Sequence, residues 1–316
     1  MKRRIKMFES GCSTEITFEE FLLSKKGKGL SDKTLLTYRS HFAAVRKCLD
    51  TQKPVEQLMK NDLDKMIAKM RDQALAPNTI RSYTRTLKSF FSWCNEEGIT
   101  QLNIPLYKAE ETIKETYTDE ELLRLLKKPN LRKCSFTEYR NWVTINLLIN
   151  NGCRAATIRN IRISDVDINN HVIYLRHTKN KRTQVIPLCE DLCLTLIEYM
   201  NIRRGKSEDY LFPNACGEQL TENGLRCTIM RYNRSRGVEK TSIHLFRHTF
   251  AKKYLVDCGG NAFALQRLLG HSTLDMTKHY CAIFDADIVK NYDHFSPLAQ
   301  MKTRDSERIK MPKKQK

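Results

Sequence analysis

The chain has 316 residues, long enough to bury two cores, with 55 Lys plus Arg against 36 Asp plus Glu and a formal net charge of +19. The excess is spread along the chain, with 21 basic against 15 acidic residues in 1–117, 27 against 19 in 118–300 and 7 against 2 in 301–316, which points to a polyanionic partner rather than a merely solvated basic surface. No run of about 18 apolar residues occurs, no apolar stretch follows the basic start, and the 11 cysteines form no Cys-x-x-Cys pair, so membrane insertion, secretion and a disulfide scaffold are set aside for a reducing cytoplasm.

Thr17-Phe-Glu-Glu20 has the form of a capping box and predicts a first helix with Phe18, Phe21 and Leu22 inward, ended by the glycines of Lys25 to Gly29. A second helix is expected from Ser31, with Leu35, Tyr38, Phe42, Val45 and Leu49 at helical spacing. A third runs from Asn61, whose side chain can cap it, through Leu63, Met66, Ile67 and Met70. The fourth opens at Pro77-Asn78 and stops at Gly98, with Ile80, Tyr83, Leu87, Phe90 and Cys94 on one face. On its other face Arg81, Arg85 and Lys88 fall at i, i+4 and i+7. Such a stripe suits a phosphate backbone, although an ordinary solvated helix face has the same pattern. These helices make a small bundle over 13–103. Residues 104–117 contain Pro105 and no sustained period, and are expected to be a linker.

A second capping box, Thr118-Asp-Glu-Glu121, restarts helical structure and opens a second domain over 118–300. A long apolar helix, Phe136 to Asn150, is expected to break at Asn151-Gly152-Cys153-Arg154, followed by a short helix through Ile158 and Ile161. His171 to Arg176 and Gln184 to Leu188 are rich in β-branched residues and flank the polar loop Thr178 to Thr183. They predict a small antiparallel sheet. Helices are then expected around Leu192 to Ile202, Thr221 to Arg236, His244 to Asp257, Ala262 to Leu269, Ser272 to Ala282 and Ala286 to Phe295. Residues 301–316 are basic and polar and are expected to be a disordered tail. The fold class is mainly α, with a small antiparallel sheet in the C-terminal domain.

The stretch His244-Leu-Phe-Arg247-His248-Thr, then Leu-Gly-His271, then Tyr280 holds the densest chemistry. Phosphodiester transfer without a metal requires a nucleophile, a cation for the charge building on phosphorus, and an acid for the leaving oxygen. Arginine suits the second role because its planar fork binds oxygens in pairs and keeps its proton. His244 and Arg247 lie at i and i+3 and share a helix face, whereas His248 sits about 100° away from Arg247 and is expected to pack. His244 and His248 also have the spacing of a zinc pair, but Leu245 stands where a zinc protease has Glu, and no third ligand is evident. No metal and no cofactor are expected.

In order and spacing, Asn-Gly-Cys-Arg154, Lys179 between two strands, His244-x-x-Arg247-His-Thr, Leu-Gly-His271 and Tyr280 nine residues later resemble the tyrosine recombinase (phage integrase) family. The likeness spans the chain, because the basic four-helix bundle resembles that family's SAM-like core-binding domain ahead of its catalytic domain. The resemblance implies that Tyr280 attacks the scissile phosphate to give a 3′-phosphotyrosyl link, and that Arg154 and Arg247 hold the phosphate oxygens. It implies further that Lys179 protonates the leaving 5′-oxygen, that His244 is the acid/base for the nucleophile, and that His271 bonds a phosphate oxygen. It also implies duplex DNA with an inverted-repeat site as partner and a homotetramer joined by exchange of the C-terminal helix, Ala286 to Phe295; Arg81, Arg85 and Lys88 of the stripe, with Lys181 and Arg182 of the loop, are the candidate DNA contacts.

Alternatives remain at this point. Lys181 and Arg182 share the loop of Lys179, Arg154 could instead cap the preceding helix, and Tyr292 and Tyr254 compete with Tyr280 without keeping the nine-residue step. Where the family usually has an acidic residue three positions after the first arginine, this chain has Thr157, which can hydrogen-bond but cannot support a cation as a carboxylate does. A type IB topoisomerase-like relaxase and a non-catalytic DNA-binding regulator are the rival functions.

Overall fold

The structure is a computed structural model and describes residues 11–108, 115–175 and 184–270. The chain divides into two compact units, Met1–Thr112 and Ile113–Lys316.

The first unit is built from α1 (Thr14–Gly27), α2 (Asp32–Val45), α3 (Lys60–Asp72) and α4 (Pro77–Glu96). Their apolar faces meet in an aromatic core, where Phe18 stacks on Phe42 at 3.9 Å and meets the edge of Phe90 at 5.2 Å. Two helix starts differ from expectation. The Ser13 hydroxyl caps α1 by accepting from Ile16 N–H, which places Thr17 one turn inside, donating to the Ser13 carbonyl at 3.1 Å. The earlier start wins because Thr14 is already tied to the Lys53 carbonyl at 2.6 Å. Helix α3 is closed by the Asp62 carboxylate rather than by Asn61. Asp62 accepts from Met59 N–H at 2.9 Å and from Lys53 Nζ at 3.0 Å, and the charged acceptor outcompetes a neutral amide. Those two bonds, Met59 first, hold the Asp62 carboxyl below its ordinary range. The stretch 104–117 is tethered at both ends. Ile104 is buried in this first core and Tyr107 packs on it, while Tyr117 is buried in the second, because apolar side chains gain by leaving water even where the backbone has no regular period.

The second unit begins with α5 (Asp119–Leu126), opened by Thr118 and Glu121 as a reciprocal capping box. Helix α6 (Phe136–Asn151) runs through the core, burying Tyr139, Val143, Leu147 and Leu148. The short α7 (Ala155–Asn160) ends before Ile161, which is extended. The sheet is antiparallel, in the order β1-β2-β3, from β1 (Val166–Asp167), β2 (Val172–Leu175) and β3 (Gln184–Pro187). Strand β1 was not expected, since two residues are too few to show alternation. Register pairs Ile173 with both Val166 and Ile186. Four helices complete the described chain: α8 (Glu190–Arg203), α9 (Glu222–Ser235), α10 (Ile243–Lys252) and α11 (Ala262–Leu269). The single helix expected over His244 to Asp257 is divided. Regular α-turns end at Lys252 and a π-helical turn spans Lys253–Asp257, closed by Cys258 N–H donating to the Lys253 carbonyl at 2.9 Å. Among the described residues no helix is long and apolar enough to cross a membrane. The helices expected over 272–282 and 286–295, and the tail 301–316, lie outside the described residues.

Candidate active site

The site is assembled from the end of α6, one face of α10 and the last turn of α11. Helix α6 stops at Gly152, whose φ of +61° is left-handed and whose N–H closes the helix on the Leu148 carbonyl. A Cβ there would lie 2.7 Å from the ring of Phe250 on α10 and 3.0 Å from Leu269 on α11. Glycine therefore supplies the turn and also lets three helices approach one another. Cys153, next in the chain, is buried, and that burial pushes its thiol up to about 12 despite the nearby Arg247 and Arg154, so it packs as a protonated group and offers no thiolate.

Arg154 starts α7 and is exposed. Its guanidinium turns away from the end of α6, the alternative open in the sequence. Nη1 donates to the Leu269 and Gly270 carbonyls at 3.4 Å, and Nη2 to Gly270 at 3.5 Å. Arg247 comes from α10 and is only 2% exposed. It donates to the Gly152 carbonyl and to the Leu269 carbonyl, both at 2.9 Å. Two guanidinium groups, one at the surface and one beneath it, thus meet at the Leu269 carbonyl. That carbonyl belongs to the end of α11, where backbone acceptors lack helical partners and carry partial negative charge. Gly270, with φ +61°, caps α11 and leads directly into His271.

His244 is exposed one turn before Arg247, and its ring meets that of the buried His248 edge-on at 4.6 Å. The second histidine packs below the first. Helix α10 is held against the start of the unit, where Tyr117 N–H donates to Thr249 Oγ1 at 3.0 Å and the Tyr117 ring stacks on Phe246 at 4.4 Å. Thr157 is half-buried on α7, one turn after Arg154. Lys179, Lys181, Arg182, His271 and Tyr280 lie outside the described residues, as does Tyr292. In the first unit Arg85 and Lys88 are exposed on α4, whereas Arg81 is half-buried with its Nε enclosed. Among the described residues no group of three His, Cys, Asp or Glu side chains is arranged to hold a metal ion.

The sequence did not single out Gln184, Asn150 or Tyr117, and Asn151 entered only as the first residue of the Asn-Gly-Cys-Arg154 stretch. Gln184 Nε2 donates to the Leu268 carbonyl at 2.7 Å, and Asn150 and Asn151 both donate to the Pro187 carbonyl, at 3.1 and 2.6 Å. The available signal was faint: amides beside a motif glycine and at the mouth of a β-branched run.

The fold is that of the DNA integrases. Lambda integrase, solved as a tetramer bound to a Holliday junction, matches with a TM-score of 0.68 over 86% of this chain and 78% of its own at 19% identity. The Tn1549 transposon integrase, in complex with a circular intermediate DNA, matches at 0.69 over 86% and 95%, also at 19% identity. In sequence the chain is 27% identical to tyrosine recombinase XerD of Staphylococcus haemolyticus, over 90% of this chain and 100% of that protein. It is 26% identical to XerC of Thermodesulfovibrio yellowstonii, over 87% and 94%. Residues 115–287 match the phage integrase family. The chain belongs to that family: it is a tyrosine recombinase, an enzyme that cleaves and rejoins DNA strands.

Proposed function

We propose that this chain is a site-specific recombinase acting on duplex DNA with Tyr280 as its nucleophile. One observation carries the assignment of the phosphate site: Arg154 and Arg247, from different helices, converge on the turn that runs into His271. A backbone carbonyl and a phosphate oxygen are both acceptors for the guanidinium fork, so two forks gathered on one turn support the reading of that turn as the edge of a phosphate site. In the forward step the Tyr280 oxygen bonds to phosphorus as the bond to the 5′-oxygen breaks. His244 takes the phenolic proton, Lys179 gives one to the leaving oxygen, and Arg154, Arg247 and His271 hold the non-bridging oxygens as charge builds on them. The phosphotyrosyl bond keeps the energy of the bond it replaces, so the released 5′-hydroxyl can reverse the step without ATP.

Arg85 and Lys88, with Arg81, Lys181 and Arg182, would track the phosphate backbone around an inverted-repeat site. The tetramer of lambda integrase on a Holliday junction supports the same assembly here, with residues 286–295 exchanged between neighbours. An enzyme with this task works in the cytoplasm.

The test is Tyr280→Phe on a nicked duplex carrying an inverted repeat taken from the DNA that flanks the gene. The variant should bind like the parent chain and form no SDS-stable adduct. Adduct formation at the parent rate would overturn the assignment of Tyr280.

A further inference from the structure

Three side chains from three elements hold the last turn of α11. Gln184 of β3 takes the Leu268 carbonyl at 2.7 Å, Arg247 of α10 takes that of Leu269 at 2.9 Å, and Arg154 reaches those of Leu269 and Gly270 at 3.4–3.5 Å. Gln184 is the neutral member of the set and makes the shortest bond. Its amide also lies across Gly270, where an added Cβ would come within 2.6 Å of Gln184 Oε1. Gln184 has little freedom of its own, since it opens β3 and pairs with Leu175 of β2. The other end of the same strand is fastened to the arginine turn, because the Pro187 carbonyl accepts from Asn151 at 2.6 Å and Asn151 adjoins Gly152. Strand β3 is thus a rail, with the turn that carries Arg154 at one end and the turn on which both arginines converge at the other.

We propose that Gln184 is a positioning residue for the strand-cleavage reaction: it sets the last turn of α11 at the distance at which Arg154 and Arg247 aim at one phosphate. This rests on the assignment of those two arginines to the scissile phosphate. Without the amide, the α11 turn is free to drift from β3 and the forks lose their common focus. A displacement of about 1 Å at such a site costs up to roughly a hundredfold in rate.

The test uses the full-length chain carrying Gln184→Leu, which keeps the side-chain bulk and removes the donor, alongside Arg154→Ala. Single-turnover cleavage is followed on a nicked duplex bearing the inverted repeat, with either the ordinary scissile phosphodiester or an uncharged methylphosphonate in its place. Gln184→Leu should bind and melt like the parent yet cleave the phosphodiester about tenfold or more slowly, the scale of a misaimed site. On the methylphosphonate the deficit should shrink to within about threefold, because a neutral centre asks less of aligned cations. Arg154→Ala should follow the same pattern. A parent rate for Gln184→Leu on the phosphodiester, or an equal deficit on both substrates while Arg154→Ala recovers, would overturn the role of Gln184 alone. If Arg154→Ala cleaved the phosphodiester at the parent rate, the arginine assignment would fail and the role of Gln184 with it. Should Gln184→Leu not melt cooperatively, Gln184→Met is measured against the same outcomes.

Discussion

Gly152 is asked to do two things that a side chain would prevent. Its backbone is left-handed, and its missing Cβ is the space into which Phe250 and Leu269 press. Its carbonyl is also an acceptor for the buried Arg247. Gly152→Ala should therefore lose at least about 1–3 kcal/mol of stability from backbone strain, before any cost of moving the Phe250 ring. Urea unfolding of the two proteins measures this, and equal midpoints would mean that the turn can relax elsewhere. Arg247 itself was readable as a candidate phosphate ligand from its place in His-x-x-Arg. Its burial was not, because burial depends on α6 and α11 closing over it, and the bonds it makes there, to Gly152 and Leu269, span 95 and 22 residues of chain.

At the scale of elements, the start of α5 shows how one helix end can register another. Glu121 accepts from Thr118 N–H at 2.8 Å and from Lys240 Nζ at 3.0 Å, and the same ammonium donates to the Thr116 carbonyl at 3.0 Å. Tyr117 then bonds the Lys240 carbonyl through its hydroxyl and Thr249 of α10 through its N–H. Burial raises the Glu121 carboxyl, but the bonds from Thr118 and Lys240 outweigh it, and the net shift is downward from 4.5. A lowered carboxylate stabilises the fold above its unfolded value, and that contribution disappears as pH falls through the folded value. Glu121→Gln should cost about 1 kcal/mol at neutral pH, in line with a lost cap and a charged hydrogen bond, and progressively less as pH falls below 4.5. Melting curves across that range decide the matter; a pH-independent difference would point to packing instead. Thr118-x-x-Glu121 was readable as a cap from spacing alone, whereas Lys240, which gives the cap its charge partner, lies 119 residues further along the chain.

At the scale of the whole molecule the charge of +19 makes a prediction about DNA. Arg85 and Lys88 are exposed on one face of α4, and Arg81 is half-buried beside them. If the two exposed residues each neutralise a phosphate, replacing both by alanine should reduce the slope of log affinity against log salt by about two, since each contact contributes roughly 0.9. An unchanged slope would make the stripe a solvated face.

The division between sequence and structure follows the range of the forces involved. Helix periods, the Thr118 capping box, the glycine after α6 and the β-branched strands are local patterns, dictated by backbone sterics and by which faces turn apolar within a few residues. Sequence reasoning erred where local signals competed, as at Ser13 against Thr17 and Asp62 against Asn61, and where an element was too short to have a period, as in β1. What the linear chain could not contain is the meeting of Gln184, Arg154 and Arg247 on the successive carbonyls of Leu268, Leu269 and Gly270 at the end of α11. That convergence exists only once α6, α10, α11 and the sheet have packed, because unsatisfied backbone acceptors at a buried helix end take whichever donors the completed core brings within reach.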